Sequence, residues 1–138
     1  MDPNNPVVRL CVAGMEAEGK GDSEDALKFF TLAWEARKDD FDAAIAAHYI
    51  ARHQTSLEDT LHWNEVALAH ADEVKDGRAA DFYPSLYLNV GHAHEALGNI
   101  PAAKLHYELA EARVDELPDN EYTVMIRRGL MAAIKRLG

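Results

Sequence analysis

Cysteine and long apolar runs are the first things this 138-residue chain lacks. Cys11 is its single cysteine, which excludes an intramolecular disulfide and a cysteine-rich zinc site and predicts a reducing compartment. No segment approaches the roughly 20 apolar residues that a membrane-spanning helix needs. The opening stretch MDPNNPVVRLCVAG has neither the basic start nor the apolar core of a secretory signal. We therefore predict a cytoplasmic protein with no membrane partner.

Basic residues are also scarce. The chain has 14 Lys and Arg residues against 24 Asp and Glu residues, a formal net charge of −10, and this acidity disfavours a nucleic-acid partner. The clearest local exception is a set of cations near the C-terminus, which we interpret as complementing the dipole of a last helix: Arg127, Arg128, Lys135 and Arg136. A hydrophobic content of 48% is enough for one core, so residues 1–138 are predicted to form a single domain.

The motifs of common catalytic sites are missing as well. The chain contains no G-x-S-x-G, no H-E-x-x-H and no G-x-x-x-x-G-K segment, so hydrolase, metalloprotease and nucleotide-triphosphatase sites lack their minimum parts. No histidine is fixed near Cys11 by the sequence, and a lone cysteine on an apolar helix is more often a small buried hydrophobe. We predict no catalytic residues, no enzyme activity and no cofactor.

What the chain does contain is an internal repeat. Residues 13–36 resemble residues 90–113, with matching positions 77 residues apart: Gly14 and Gly91, Gly21 and Gly98, Ala26 and Ala103, Phe30 and Tyr107, Ala33 and Ala110. This separation leaves room for a middle unit, at one spacing of 34 residues and a second about nine residues longer. Three consecutive units are therefore predicted.

Each unit has the pattern of a helical hairpin, with apolar residues at helical spacing and a glycine at the turn. The predicted helices cover about 6–19, 23–38, 40–53, 56–75, 79–98, 100–117 and 120–136. The predicted N-caps are Asp22 or Ser23, Thr55 in a capping box with Glu58, Asn99 and Asp119. Gly77 is predicted to separate the second and third hairpins, and Pro84 either opens the fifth helix or kinks a longer one.

These residues resemble the tetratricopeptide repeat, a 34-residue helix-turn-helix unit. The third unit carries the family pattern at Tyr87, Val90, Gly91, His94, Gly98, Ala103, Tyr107 and Ala110, and the first at Leu10, Ala13, Gly14, Ala17, Gly21, Ala26, Phe30 and Ala33. The middle unit diverges, with His48, Thr55, Thr60 and Asn64 at the small, glycine, alanine and aromatic positions. The resemblance implies a small standalone bacterial-type protein with an all-α superhelix (solenoid): repeats at about 7–40, 41–74 and 84–117, and a capping helix at about 120–136.

The resemblance also implies a function. Such arrays bind a protein or peptide, without catalysis, on a concave surface lined by the first helix of each repeat. The family's contact positions fall on Cys11, Met15, Glu18, Ile45, Tyr49, Arg52, His53, Ser85, Leu88, Asn89, His92 and Glu95. Of these, the predicted partner-binding residues are Met15, Tyr49, Arg52, His53, Asn89 and His92. The chain is thus predicted to be a scaffold or adaptor.

Two alternatives stay open. The groove or the terminal helix could bind a second copy, which would make the chain a self-associating module. A metal site could instead use groove histidines, for example His53 and His92 with Glu95. The pair His92 and His94 alone does not chelate one ion, since residues two apart on a helix point about 200° from each other. We predict no metal.

Overall fold

The computed structural model describes residues 2–138, and within that range the secondary structure is helical, with no β-strand. The α-helices are α1 (Pro6–Gly19), α2 (Ser23–Glu35), α3 (Asp40–Ile50), α4 (Leu57–Asp72), α5 (Tyr83–Ala96), α6 (Ile100–Val114) and α7 (Glu121–Leu137). The all-α class and the seven predicted helices are confirmed. None of the helices formed by the described residues is both long and apolar enough to cross a membrane.

The helices form two compact units. An N-terminal unit extends to Asp76 and contains α1 to α4, and a C-terminal unit, Gly77–Gly138, contains α5 to α7. In the N-terminal unit α1 pairs with α2 and α3 with α4, while α3 also contacts both α1 and α2. In the C-terminal unit α5 pairs with α6, and α7 contacts both of them. The single domain spanning residues 1–138 stays a prediction.

The hairpins α1–α2 and α5–α6 share one joint between a glycine and an aromatic ring. A Cβ atom built on Gly14 would lie 2.3 Å from Cε1 of Phe30, and one on Gly91 would lie 2.6 Å from Cε1 of Tyr107. Both rings are almost fully buried, so they have little room to move away. The helices approach this closely only because the first helix lacks a side chain there.

The turns of these two hairpins are also alike. Gly21 and Gly98 have φ angles of 78° and 80°, the left-handed region that favours glycine. The next residue donates its backbone N–H five residues back, from Asp22 to Ala17 at 2.9 Å and from Asn99 to His94 at 2.8 Å. The repeat detected in the sequence is therefore a repeat of backbone geometry.

The middle hairpin departs from this design because α3 is buried on nearly all sides. Every residue from Asp42 to Ile50 except Tyr49 is buried, four of the nine being alanines. His48 occupies the position where the other hairpins have glycine, and burial lowers its pKa to about 4, with the charge of Arg52 adding to the effect. A neutral imidazole thus replaces the glycine joint.

A buried carboxylate holds the start of α3. Asp42 is 4% exposed, and it accepts hydrogen bonds from Nδ2 of Asn5 at 2.7 Å and from the backbone N–H of Lys38 at 3.0 Å. The side chain of Asn5 also caps α1 by accepting from the N–H of Val7. One pair of polar side chains therefore fastens the N-terminus of α1 to α3.

The C-terminal unit has one apolar core beneath α7. It is formed by Leu88, Ala103, Tyr107, Ala110, Val114, Ile126, Leu130 and Ala133. The predicted terminal helix therefore exists and covers the α5–α6 hairpin. The observed N-cap of α7 is Asn120, which forms a capping box with Thr123, so the predicted cap at Asp119 is wrong by one residue.

One further predicted cap is wrong, and another has the predicted position without the capping hydrogen bond. Ser56, not Thr55, caps α4, and its hydroxyl accepts from the backbone N–H of Asp59; the predicted box with Glu58 does not form. Asn99 stands at the start of α6, but its side chain makes no capping hydrogen bond. Asp22 caps α2 by accepting from the N–H of Asp25, as predicted.

The linker between the two units is longer than predicted. α4 ends at Asp72 and not near residue 75, and α5 begins at Tyr83 and not near residue 79. A 3₁₀ turn, Ala80–Phe82, precedes α5, and Gly77 has a positive φ of 85°. Pro84 lies in the first turn of α5, where its missing N–H is harmless; of its two predicted roles, it opens the helix. The helices α2 and α6 also end three residues earlier than predicted.

Candidate binding surfaces

The polar residues predicted for partner binding in the N-terminal unit gather around one carboxylate. Glu18, near the end of α1, accepts a hydrogen bond from Nη1 of Arg52 at 3.0 Å and one from Nε2 of His53 at 2.7 Å. Arg52 and His53 lie in the 3₁₀ turn Ala51–His53 that follows α3. The contact links the first helix of one hairpin to the end of the first helix of the next.

Contacts with aromatic rings also hold Arg52 and His53 in place. The ring of Phe30 stacks on Tyr49 with centroids 5.1 Å apart and on His53 at 5.7 Å. The guanidinium carbon of Arg52 lies 4.8 Å from the centre of the Tyr49 ring, a cation–π contact. We call Glu18, Phe30, Tyr49, Arg52 and His53 the Glu18 cluster.

The exposure of this cluster suits a binding surface. The Arg52 side chain is 46% exposed, whereas His53 is 15% exposed. Arg52 therefore keeps N–H donors toward solvent while its position is set by Glu18 and Tyr49. Met15, half-buried on α1, stands one helical turn before Glu18 and adds apolar surface on that side. All four residues predicted in this unit thus belong to one region.

Three other residues transferred from the family pattern do not line a surface. Cys11 and Ile45 are almost completely buried in the N-terminal unit, and Leu88 is buried in the C-terminal unit. They are core residues, because α1, α3 and α5 turn these positions toward their packing partners. The resemblance assigned them as contacts, and that assignment is wrong.

The C-terminal unit carries a related cluster around Glu95, the residue 77 positions after Glu18. Glu95 accepts a hydrogen bond from the hydroxyl of Tyr107 at 2.6 Å and two from the guanidinium of Arg136, both at 3.0 Å. The bonds from Arg136 and then Tyr107 lower the pKa of Glu95 to about 2. The pKa of Tyr107 is raised, chiefly by burial and then by its hydrogen bond to Glu95.

The two residues predicted in this unit lie on α5. His92 is exposed and meets the ring of Tyr107 edge-on, with centroids 5.6 Å apart. Partial desolvation, reinforced by the charge of Arg136, lowers the pKa of His92. Asn89 is half-buried one turn earlier. We call His92, Glu95, Tyr107 and Arg136 the Glu95 cluster.

Sequence reasoning missed the role of Arg136. The sequence predicts that its charge complements the dipole of the last helix, but its guanidinium donates two hydrogen bonds to Glu95. Arg127 likewise donates a hydrogen bond to Asp115 at 2.7 Å. The usable signal was the repeated glutamate three residues before each turn glycine, at Glu18 and Glu95. A carboxylate repeated at this position predicts a positively charged partner in each unit.

The chemistry of the only thiol is unsuited to nucleophilic attack. Cys11 is 1% exposed, and burial, with the nearby Asp42 carboxylate as a second cause, raises its pKa to about 12. A thiol of this kind stays protonated at neutral pH. Cys11 is a packing residue of α1.

The histidine side chains named as metal candidates bond to or pack against neighbouring side chains. Among residues 2–138, no group of three or more His, Cys, Asp and Glu side chains is arranged to hold a metal ion. His53 and Glu95, two members of the alternative zinc site, bind Glu18 and Arg136 respectively. The ring of His94 lies against that of His106, tilted by 32° and with centroids 5.3 Å apart, which agrees with a packing role.

Comparison of the chain with models of protein families, with curated proteins and with solved structures found no match to any of them.

Proposed function

We propose that this chain is a small, cytoplasmic protein of the tetratricopeptide-repeat type that binds a protein or peptide without catalysing a reaction. The observation that carries the proposal is the glycine–aromatic joint, which recurs after 77 residues with the same turn and the same hydrogen bonds. Stacked hairpins of this kind expose the faces of their first helices, and extended peptides and helices bind such faces.

The proposed contact residues are the six predicted from the sequence, which lie in the two clusters or beside them. In the N-terminal unit these are Met15, Tyr49, Arg52 and His53, and in the C-terminal unit Asn89 and His92. Arg52 is the strongest anchor, because Glu18 and Tyr49 already hold its guanidinium in place and little conformational entropy is lost when a ligand binds it. A carboxylate of the ligand would bind the outward N–H groups of Arg52.

A triple substitution tests this proposal. We expect Tyr49→Ala, Arg52→Ala and Asn89→Ala together to remove specific partners from a pull-down with the native lysate. The matched control changes three exposed residues of the second helices, Thr31→Ala, Glu65→Ala and Glu108→Ala, and should keep those partners. Retention of every specific partner by the first variant would show that the contact surface is assigned wrongly.

Self-association is the second candidate function. The observation that favours it is the row of exposed apolar side chains on α7, among them Met125 and Met131, which are 62% and 72% exposed. Sedimentation velocity at several concentrations tests it, and a strictly monomeric species removes it.

A further inference from the structure

In the C-terminal unit, α7 packs on the hairpin before it as α3 does in the N-terminal unit. α3 contacts both α1 and α2, and α7 contacts both α5 and α6. An arginine binds the repeated glutamate in both units: Arg52, in the turn that follows α3, binds Glu18, and Arg136, near the end of α7, binds Glu95. Helix α7 thus resembles the first helix of a following hairpin.

The two helices differ in what covers them. Counting back from the two arginines, Met131 of α7 corresponds to Ala47 of α3, and Ile134 corresponds to Ile50. Ala47 and Ile50 are 0% and 4% exposed in a helix that pairs with α4, whereas Met131 and Ile134 are 72% and 44% exposed. The surface that is buried in one unit is therefore open in the other.

A groove follows this open surface between α6 and α7. It has a volume of about 260 Å³, and its apolar lining comes from Val114, Leu130, Met131 and Ile134. Its polar lining comes from Glu111 and from the ion pair of Arg127 with Asp115. In the N-terminal unit the corresponding space is filled by α4, whose Trp63 meets Trp34 of α2 edge-on at 5.2 Å. A helix is thus the occupant that this kind of space accepts.

Charge indicates which kind of helix fits. The cations Arg128 and Lys135 are exposed on α7, and neither forms an ion pair with any of the residues that the structure describes. The helix that covers α3, α4, carries Glu58, Asp59, Glu65 and Asp72 and has no Lys or Arg. Two copies meeting through α7, the self-association considered above, would bury Met131 but would bring Arg128 and Lys135 of both chains together. This repulsion favours an acidic partner over a second copy at this surface.

We propose that the α6–α7 groove receives an acidic amphipathic helix of a partner protein, in the manner in which α4 covers α3. Apolar side chains of that helix would bury Met131 and Ile134, and its carboxylates would face Arg128 and Lys135. No residue of this surface belongs to the Glu18 or Glu95 cluster, and the proposal does not depend on the binding function proposed for those clusters.

The probe is a fluorescein-labelled synthetic peptide with the sequence of residues 56–73, SLEDTLHWNEVALAHADE. We expect a saturable rise in its fluorescence anisotropy on titration with the full chain, and weaker binding as sodium chloride is added. Met131→Ser with Ile134→Ser should weaken binding by about tenfold or more. The matched control, Leu32→Ser with Leu105→Ser, alters apolar residues of similar exposure elsewhere, 48% and 52%, and should leave affinity unchanged.

Charge reversal gives a second arm. Arg128→Glu with Lys135→Glu should abolish binding of the acidic peptide and create binding of a peptide whose Glu and Asp residues are replaced by Lys. The variant with Tyr49, Arg52 and Asn89 changed to Ala should bind the acidic peptide normally, which separates this result from the test of the proposed function. Circular dichroism confirms that each variant is folded.

Three results would overturn the proposal. They are the absence of saturable binding, binding that ignores both α7 variants, and self-association of the unliganded chain that the Met131 and Ile134 substitutions abolish. The last result would make a second copy the occupant.

Discussion

Glu18 and Glu95 stand at the same place in two copies of one hairpin, yet each is neutralised by a different set of donors. Glu18 receives Arg52 and His53 from the turn after α3, and Glu95 receives Arg136 from α7 and the hydroxyl of Tyr107. Phe30, which replaces Tyr107 in the first copy, has no hydroxyl, and the imidazole of His53 stacks on its ring instead. The repeated backbone sets the position of the carboxylate, and the neighbouring helix supplies the counter-charge.

The largest effect is expected where the two copies are most alike. Gly14→Ala should lower the free energy of unfolding by about 2–3 kcal/mol, because the added methyl group collides with a buried ring that has no space to move into. Gly91→Ala should cost somewhat less, since its closest approach is 2.6 Å and not 2.3 Å. Urea denaturation measures both values.

Gly19→Ala is the matched control for these two substitutions. Gly19 lies in the same helix as Gly14 but has no atom within 4 Å of an added Cβ. This variant should be neutral or more stable by about 0.5 kcal/mol, because alanine has the higher helix propensity. Equal stability of the Gly14 and Gly19 variants would contradict the close joint.

Lowering the pH should destabilise the two units over different pH ranges. Burial lowers the folded-state pKa of His48 from 6.5 to about 4, so the unfolded chain binds a proton first, and stability falls as pH decreases from about 6.5 to about 4. The loss should amount to about 2–3 kcal/mol. His48→Gln should remove this part of the pH dependence in urea titrations, whereas His62→Gln, at an exposed position, should not.

The carboxylate of the C-terminal unit responds to acid in the same direction but at lower pH. The pKa of Glu95 is lowered from 4.5 to about 2, so the stability it contributes is present above pH 4.5 and is lost as pH falls toward 2. The protection of backbone amides against hydrogen exchange should therefore decrease in α3 at a higher pH than in α5 and α6. Loss of amide protection at the same pH in both units, in the wild type and in His48→Gln alike, would refute this difference.

Exchanging the aromatic residues of the two joints probes the smaller difference between the clusters. Tyr107→Phe removes the hydroxyl that donates to Glu95 and should cost about 1 kcal/mol. Phe30→Tyr should direct a new hydroxyl toward Glu18 and compete with His53, with a net change below about 1 kcal/mol because one donor replaces another. Thermal or urea unfolding measures both, and a cost above about 3 kcal/mol for Phe30→Tyr would mean that the two joints are not equivalent.

The smallest change in stability is expected for Arg136→Gln, which is best followed by titration. Without the guanidinium, the pKa of Glu95 should rise toward the usual range of a glutamate, and carbon-detected NMR of the side-chain carboxyl reports it. Arg128→Gln removes an equally charged residue of α7 that does not contact Glu95 and should leave this pKa unchanged. A pKa of Glu95 unaffected by Arg136→Gln would contradict the contact.

The helices and the repeat were accessible from the sequence because they depend on local chemistry. Glycine at a turn, proline in a first turn and apolar residues at helical spacing act within one or two helical turns. The contacts of Gly14 with Phe30 and of Gly91 with Tyr107 were seen only in the structure. Caps were placed less well, since Thr55 and Ser56, or Asp119 and Asn120, have nearly equal propensities and the geometry of a single residue decides between them.

The contacts between hairpins depended on tertiary structure. Nothing in the chain near Arg136 reveals that it lies against Glu95, 41 residues earlier, and the burial of Cys11, Ile45 and His48 follows from how α3 is enclosed by its neighbours. The pairing of distant side chains and the burial of a helix face are set by the packing of whole helices. The sequence by itself determined an all-α chain of repeated hairpins, and the tertiary structure alone decided which charges meet, which histidine is neutral and which face of α7 is open.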